Sequence, residues 1–205
     1  MSENNPILQV KDLTVSFNAF AGKVQAVRGV SFDLNKGETL CIVGESGSGK
    51  SVTNKAIMGI LSKNAVIDRG EILYDGMDLT KLTEEQFCQI RGKRIAMVFQ
   101  DPLSALNPIM KVGKQITETL CVHQKLSHEQ AKKRALELMA AVGIPEPEKR
   151  FNQYPFQFSG GMRQRIVIVI ALACNPEILI CDEPTTALDV TIQSKMLALI
   201  KKIKQ

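Results

Sequence analysis

The residues Gly44-Glu45-Ser46-Gly47-Ser48-Gly49-Lys50-Ser51 fill every position of a G-x-x-x-x-G-K-[ST] run. No other feature of the chain limits its fold so strongly. Glycines at these positions let the backbone curl so that successive N–H groups converge on one anion. A helix start directly after the loop adds the partial positive charge of its first turn. In that pattern Lys50 reaches the β- and γ-phosphates of a nucleotide, and the Ser51 hydroxyl is a ligand for Mg²⁺. The flanks suit the loop. Thr39 to Val43 is a short apolar run without alternation, which predicts a central parallel strand covered on both faces. Val52, Ala56, Ile57 and Ile60 recur at helical spacing after it.

A second acidic feature fits the same chemistry. Ile178-Leu179-Ile180-Cys181 runs into Asp182-Glu183, an apolar strand that ends in two carboxylates. In open α/β folds ligands sit at the carboxyl edge of the sheet. With a phosphate loop upstream, Asp182 is expected to hold Mg²⁺ through water and Glu183 to polarise the attacking water. A third feature is Ser159-Gly160-Gly161-Met162-Arg163-Gln164 ahead of a helix reaching about Cys174. By itself it reads either as a helix capped by Ser159 or as a second anion nest. One nucleotide does not need two cradles, so the nest reading implies a nucleotide held by a partner chain.

The remainder supplies the frame. Leu8 and Val10, then Leu13, Val15 and Phe17, alternate with polar residues, as do Val30, Phe32 and Leu34. Glu71 to Tyr74 and Ile95 to Phe99 also read as strands. From Asp101 to about Tyr154 the pattern is helical and rich in loops. Ser127 with Gln130 makes a capping box, Ala131, Ala135, Leu138, Met139 and Val142 form one apolar face, and Gly143 and Pro145 stop that helix. Ile192, Met196, Leu199, Ile200 and Ile203 give a final helix an apolar face. The reading is therefore α/β, with a helical block set into it. The longest apolar run, Ile166 to Cys174, is about half of a membrane span. The net charge of +5 is mild. Its clusters, Lys132-Lys133-Arg134 and Lys201, Lys202 and Lys204, fit solvated helix faces better than a nucleic-acid stripe. Five cysteines without a C-x-x-C pair fit reduced thiols, with Cys41 and Cys181 expected inside apolar segments. His123 and His128 are expected at the surface.

Taken together the motifs resemble the ATP-binding subunit of ABC transporters. The Walker A loop is Gly44–Ser51, the Q-loop glutamine Gln100, the signature Ser159–Met162, Walker B Ile178–Asp182 with Glu183, and the D-loop Ala187-Leu188-Asp189, in the family's order. The likeness is greater still to the oligopeptide, dipeptide and nickel importer branch. It lies in Gln100-Asp101-Pro102-Leu103-Ser104-Ala105-Leu106-Asn107-Pro108, in Phe158-Ser159-Gly160-Gly161-Met162-Arg163-Gln164-Arg165 with Met at the fourth signature position, and in Asp182 to Thr191. Phe156-Gln157 departs from that branch, which often has a histidine and an acid there.

The resemblance implies a P-loop NTPase core with an antiparallel β subdomain and an inserted helical subdomain. It places the core and β subdomain at residues 1–100 and 159–205 and the helical insert at 101–158. It implies ATP and Mg²⁺ as ligands. Nucleotide contacts fall on Gly44, Glu45, Ser46, Gly47, Ser48, Gly49, Lys50, Ser51 and Val52, with Ser159, Gly160, Gly161 and Met162 acting in trans. Metal contacts fall on Ser51, Gln100 and Asp182, and catalytic roles on Glu183, Lys50 and Gln100. An aromatic that stacks on adenine is expected at Phe17, with Phe20 as competitor.

The implied function is ATP hydrolysis that energises import of oligopeptides or dipeptides. The alternatives are nickel import and a soluble non-transport ABC ATPase. Implied partners are a second ATPase subunit packed head to tail, two membrane permeases and, indirectly, an extracytoplasmic binding protein, at the cytoplasmic face of the membrane and without nucleic acid. The family's switch histidine lies roughly 30 residues past the catalytic glutamate, by the spacing of the next strand and turn. The sequence stops short of that position, so an incomplete C-terminal end is expected.

Overall fold

A computed structural model describes residues 6–20, 22–101 and 105–183. The final apolar helix and Ala187–Asp189 lie outside the described residues. The chain divides into two compact units, Met1–Cys88 and Gln89–Gln205.

In the first unit, β1 (Leu8–Ala19), β2 (Gly22–Leu34), β3 (Ala65–Tyr74) and β4 (Met77–Asp78) form an antiparallel sheet in the order β2-β1-β3-β4. Its buried face carries Leu8, Val10, Leu13, Val15, Val27 and Ile72. The alternation in β1 changes phase between Val10 and Leu13, and there the register with both neighbours shifts. This is a β-bulge, with an extra residue that bends the strand and moves the inward set along by one. Asp12 stands at the bulge with φ 48°. Its N–H donates to Ser31 Oγ at 2.8 Å, and its carboxylate pairs with Arg69 Nε at 2.8 Å. Opposite it, a Cβ on Gly70 (φ +100°) would stand 2.5 Å from the Lys11 carbonyl oxygen, so only glycine fits beside the bulge. After β2 come the glycine loop and α1 (Lys50–Ile57), whose Ala56 and Ile57 are buried, and after β4 comes the short α2 (Glu84–Ile90).

The Thr39–Val43 expectation is not met. Among the described residues this run forms no ladder, and Leu40, Ile42 and Val43 are 41%, 42% and 85% exposed. A continuous apolar run needs cover on both faces. The β2-β1-β3-β4 sheet offers it no strand neighbour. Cys41 is exposed for the same reason, against expectation.

The second unit has a parallel pair, β5 (Ile95–Val98) and β6 (Ile178–Cys181), in register from Ile95 with Ile178 to Val98 with Cys181. Between them run α3 (Val112–Gln124), α4 (His128–Ala141), the short α5 (Pro147–Phe151) and α6 (Gly160–Leu172). The Ser127–Gln130 capping box forms in both directions, and the face Ala131, Ala135, Leu138, Met139 and Val142 is buried. Helix α6 is apolar almost all round. Ile166, Val167, Ile168 and Val169 are each 5% exposed or less, the mark of a helix inside a core. Together with Ile116, Leu120, Phe158 and Val98 it forms the hydrophobic centre of the unit.

Candidate nucleotide-binding and hydrolysis site

The glycine loop is built by its turns. Ser48 N–H donates to the Glu45 carbonyl at 3.2 Å, and Gly47 takes φ +83°. Gly49 is the N-cap of α1 at φ 95°, with no side-chain cap and no acid in the first turn. The Gly49 carbonyl accepts from the Thr53 N–H at 2.9 Å and from its hydroxyl at 3.0 Å, which fastens the first turn. Lys50 Nζ donates to the carbonyls of Gly44 at 2.8 Å and Glu45 at 2.9 Å, tying the helix start to the opening of the loop. Gly44 to Ser48 are exposed. A helix start leaves its first N–H groups without intrahelical acceptors. With a mobile ammonium beside them and no first-turn acid, this donor set fits a polyphosphate. Phe17, on β1 opposite Val24 and Ala65, is half-buried, whereas Phe20 is fully exposed.

The second unit holds the acids. The ladder of β5 and β6 continues one step past the strands, where Asp182 N–H donates to the Val98 carbonyl at 3.0 Å. Asp182 is 7% exposed. Glu183 follows at φ 47°, and its carboxylate accepts a hydrogen bond of 3.0 Å from the Gln100 amide. The two side chains stand just past the carboxyl ends of two parallel strands and meet there although 83 residues separate them. Beneath them, burial pushes the Cys181 thiol up to about 11, so at neutral pH it is an uncharged packing group.

The signature segment opens α6. Ser159 is its N-cap, and its hydroxyl accepts from the Met162 N–H at 3.4 Å. Ser159 and Gly160 are exposed, and a Cβ on Gly160 would meet nothing within 4 Å. The capping reading holds locally, and Gly161 and Met162 are half-buried behind the exposed Ser159 and Gly160. Arg163 was not expected to matter. Its Nε donates to the Phe158 carbonyl at 2.9 Å and fixes the residue before the cap. An arginine one turn beyond a capping serine was the available signal.

The site residues thus fall into three local groups: Gly44–Ser51 in one unit, and Gln100 with Asp182 and Glu183, and Ser159–Met162, in the other. His128 is exposed, as expected, but His123 is half-buried. Its Nε2 would lie 3.1 Å from a Cβ on Gly92. Burial, and then the charge of Lys93, hold its pKa below the usual imidazole value. The His123 imidazole fills space beside the Gly92 turn, so its expected surface placement is not met.

Comparison with known proteins identifies the family. The family profile described as ABC transporter matches residues 27–186, and the chain belongs to that family. It is 61% identical over 200 residues to the oligopeptide transport ATP-binding protein OppD of Bacillus subtilis (strain 168), covering 97% of this chain and 56% of that protein. It is 58% identical over 200 residues to the dipeptide transport ATP-binding protein DppD of Lactococcus lactis subsp. cremoris, covering 97% and 57%. The chain therefore spans somewhat more than half the length of these curated relatives. Among solved structures, the dimeric post-hydrolysis state of the ATP-binding cassette MJ0796 bound to ADP and Pi aligns with a TM-score of 0.86. It is 30% identical and covers 97% of this chain and 83% of that one. The expected fold class, an ABC ATPase head, is what these neighbours share. Among the described residues no helix is long and apolar enough to cross a membrane.

Proposed function

We propose that the chain is the ATP-binding and ATP-hydrolysing part of a subunit that energises import of oligopeptides or dipeptides. The observation that carries the hydrolytic reading is the Gln100–Glu183 hydrogen bond at the carboxyl ends of β5 and β6. It pairs an amide and a carboxylate where an α/β sheet presents its ligands. The peptide cargo rests on the names of the relatives.

In this reading the N–H groups of Gly44–Ser51, with Val52 behind them, cradle the phosphates, and Lys50 exchanges the Gly44 and Glu45 carbonyls for phosphate oxygens. Ser51, Gln100 and Asp182 are the residues that would hold Mg²⁺, which would supply positive charge to offset that of the phosphates. Glu183 accepts a proton from the attacking water, and Gln100 orients it. Phe17 offers its ring to adenine. Ser159, Gly160, Gly161 and Met162 cover a nucleotide held by a second, homologous subunit, in a head-to-tail dimer. Two permeases and an extracytoplasmic binding protein complete the assembly at the cytoplasmic face of the membrane. The ATPase core and β subdomain are assigned to 1–100 and 159–205, and the helical insert to 101–158.

The test is Glu183→Gln in the full-length chain assembled with its permeases. ATP binding should persist while hydrolysis slows by about 10²-fold or more, the scale of a lost acid–base group. Near-normal turnover would show that another residue handles the water. Hydrolysis by the vesicle-embedded complex should rise with short peptides and not with Ni²⁺; the opposite result would transfer the cargo to metal.

A further inference from the structure

The signature segment is held from behind by a side chain that none of its motifs contains. Arg150, on α5, donates from Nε to the Pro145 carbonyl at 3.0 Å and from Nη1 to Gln153 Oε1 at 3.4 Å. Its guanidinium lies over the Phe158 ring, 5.7 Å from the centroid. Phe158 is 2% exposed and immediately precedes the capping Ser159. Its N–H donates to the Pro155 carbonyl at 3.1 Å, and its carbonyl accepts from Arg163. The guanidinium is itself anchored, because the Gln153 carbonyl takes the Val112 N–H at 2.9 Å and so joins this turn to the start of α3. A planar cation fixed by two acceptors and held over an aromatic face restrains the ring's orientation. With the ring and carbonyl of Phe158 both fixed, the direction in which Ser159 enters α6 is fixed too.

We infer that Arg150 is a positioning residue for Ser159–Met162, setting the aim of the exposed first turn of α6 toward a nucleotide carried by another subunit. This rests on the reading of that segment as acting in trans. Arg150 belongs to none of the segments assigned to nucleotide or metal. Its effect must therefore appear only at the site that this chain's signature covers.

That asymmetry supplies the test. The full-length chain is assembled with its partner ATPase subunit in two single-site forms. In one, Lys50→Ala removes this chain's own phosphate loop, leaving the site covered by this chain's Ser159–Met162. In the other, the lysine of the partner's phosphate loop is replaced, leaving the site that this chain's signature does not cover. Saturation with trinitrophenyl-ATP is measured in each. In the first form, Arg150→Ala should weaken saturation about tenfold, equivalent to about 1.4 kcal/mol. Arg150→Lys, which keeps a cation over the ring but loses the donor to Pro145, should weaken it less. In the second form Arg150→Ala should leave saturation unchanged. Equal loss in both forms would mean that Arg150 merely supports folding, and would overturn the inference, as would no loss in either. Ser159→Arg in the same backgrounds separates the causes. If it weakens only the first form while Arg150→Ala does not, Arg150 alone is misassigned. If Ser159→Arg also has no effect there, the in-trans reading falls, and the Arg150 assignment with it.

Discussion

Replacing Gly49 with Ala tests whether a close backbone contact, and not flexibility alone, shapes the phosphate loop. Gly49 sits at φ +95°, and a Cβ there would stand 2.6 Å from the Ala26 carbonyl oxygen and 3.2 Å from Val27 Cγ2. Both neighbours belong to β2, where Val27 pairs with Val15 of β1 and Ala26 stands at the adjoining register shift. Two costs combine. The left-handed conformation costs a side-chain-bearing residue about 1–2 kcal/mol. Forcing a methyl group into filled space costs about 1–3 kcal/mol more. Gly47 is the control, because it shares the positive φ (+83°) but has nothing within 4 Å of its Cβ position. Gly47→Ala should therefore lose only about 1–2 kcal/mol, and Gly49→Ala about 1–3 kcal/mol beyond that. For a chain of this size each 1 kcal/mol lowers Tm by about 2–4 °C. Chemical denaturation of the full-length protein, read alongside ATP calorimetry, gives both stability and binding. Equal destabilisation by the two substitutions would show that the approach of Gly49 to β2 does not constrain the loop.

Three further outcomes are expected. Ser127→Ala removes one half of a complete capping box and should cost about 1 kcal/mol, read as a lower denaturation midpoint; an unchanged midpoint would mean water replaces the serine without loss. His123 has a folded pKa below its ordinary value of 6.5, so the unfolded chain binds the extra proton first. Stability should therefore fall as pH drops below about 6.5, and His123→Gln should flatten that part of the midpoint-versus-pH curve; an identical slope in the variant would assign the dependence elsewhere. Iodoacetamide at pH 8 should label the exposed Cys41 and Cys88 and spare Cys181, whose thiol is pushed up to about 11. Mass spectrometry showing Cys181 labelled as fast as Cys88 would contradict its burial.

Features set by neighbours in the chain were legible from the sequence. The Ser127–Gln130 box and the Ala131–Val142 face need only one turn of helix and a period of 3.6, and both appear as read. The phase change between Val10 and Leu13 was visible as two alternating sets, although the bulge that joins them into one strand needs Gly70 and Arg69 across the sheet to hold it. Thr39–Val43 shows the limit. Its composition fits a strand covered on both faces, but coverage is a property of other segments, and the sheet of its own unit does not extend to it. The Gln100–Glu183 contact was likewise invisible as a contact. Each residue was read from its own motif, while their meeting depends on the parallel register of β5 with β6. Arg150 lay outside any motif, and Phe158 was read only as the first residue of the signature run, since a guanidinium held over a ring has no fixed spacing along the chain.

The span of 83 residues between Gln100 and Glu183 also sets an order of events during synthesis. At about 5–20 residues per second a ribosome needs about 4–17 s to extend from the first of these side chains to the second. Helices α3 and α4 can form within microseconds of their appearance, so the nascent chain carries a folded helical insert and the Ile95–Val98 segment while its partner strand β6 does not yet exist. During that interval β5 displays an unpaired edge, Ile95 to Val98, with nothing but apolar side chains along it. A nascent chain stalled before Ile178 would therefore be the species most prone to capture by chaperones or by another copy of itself.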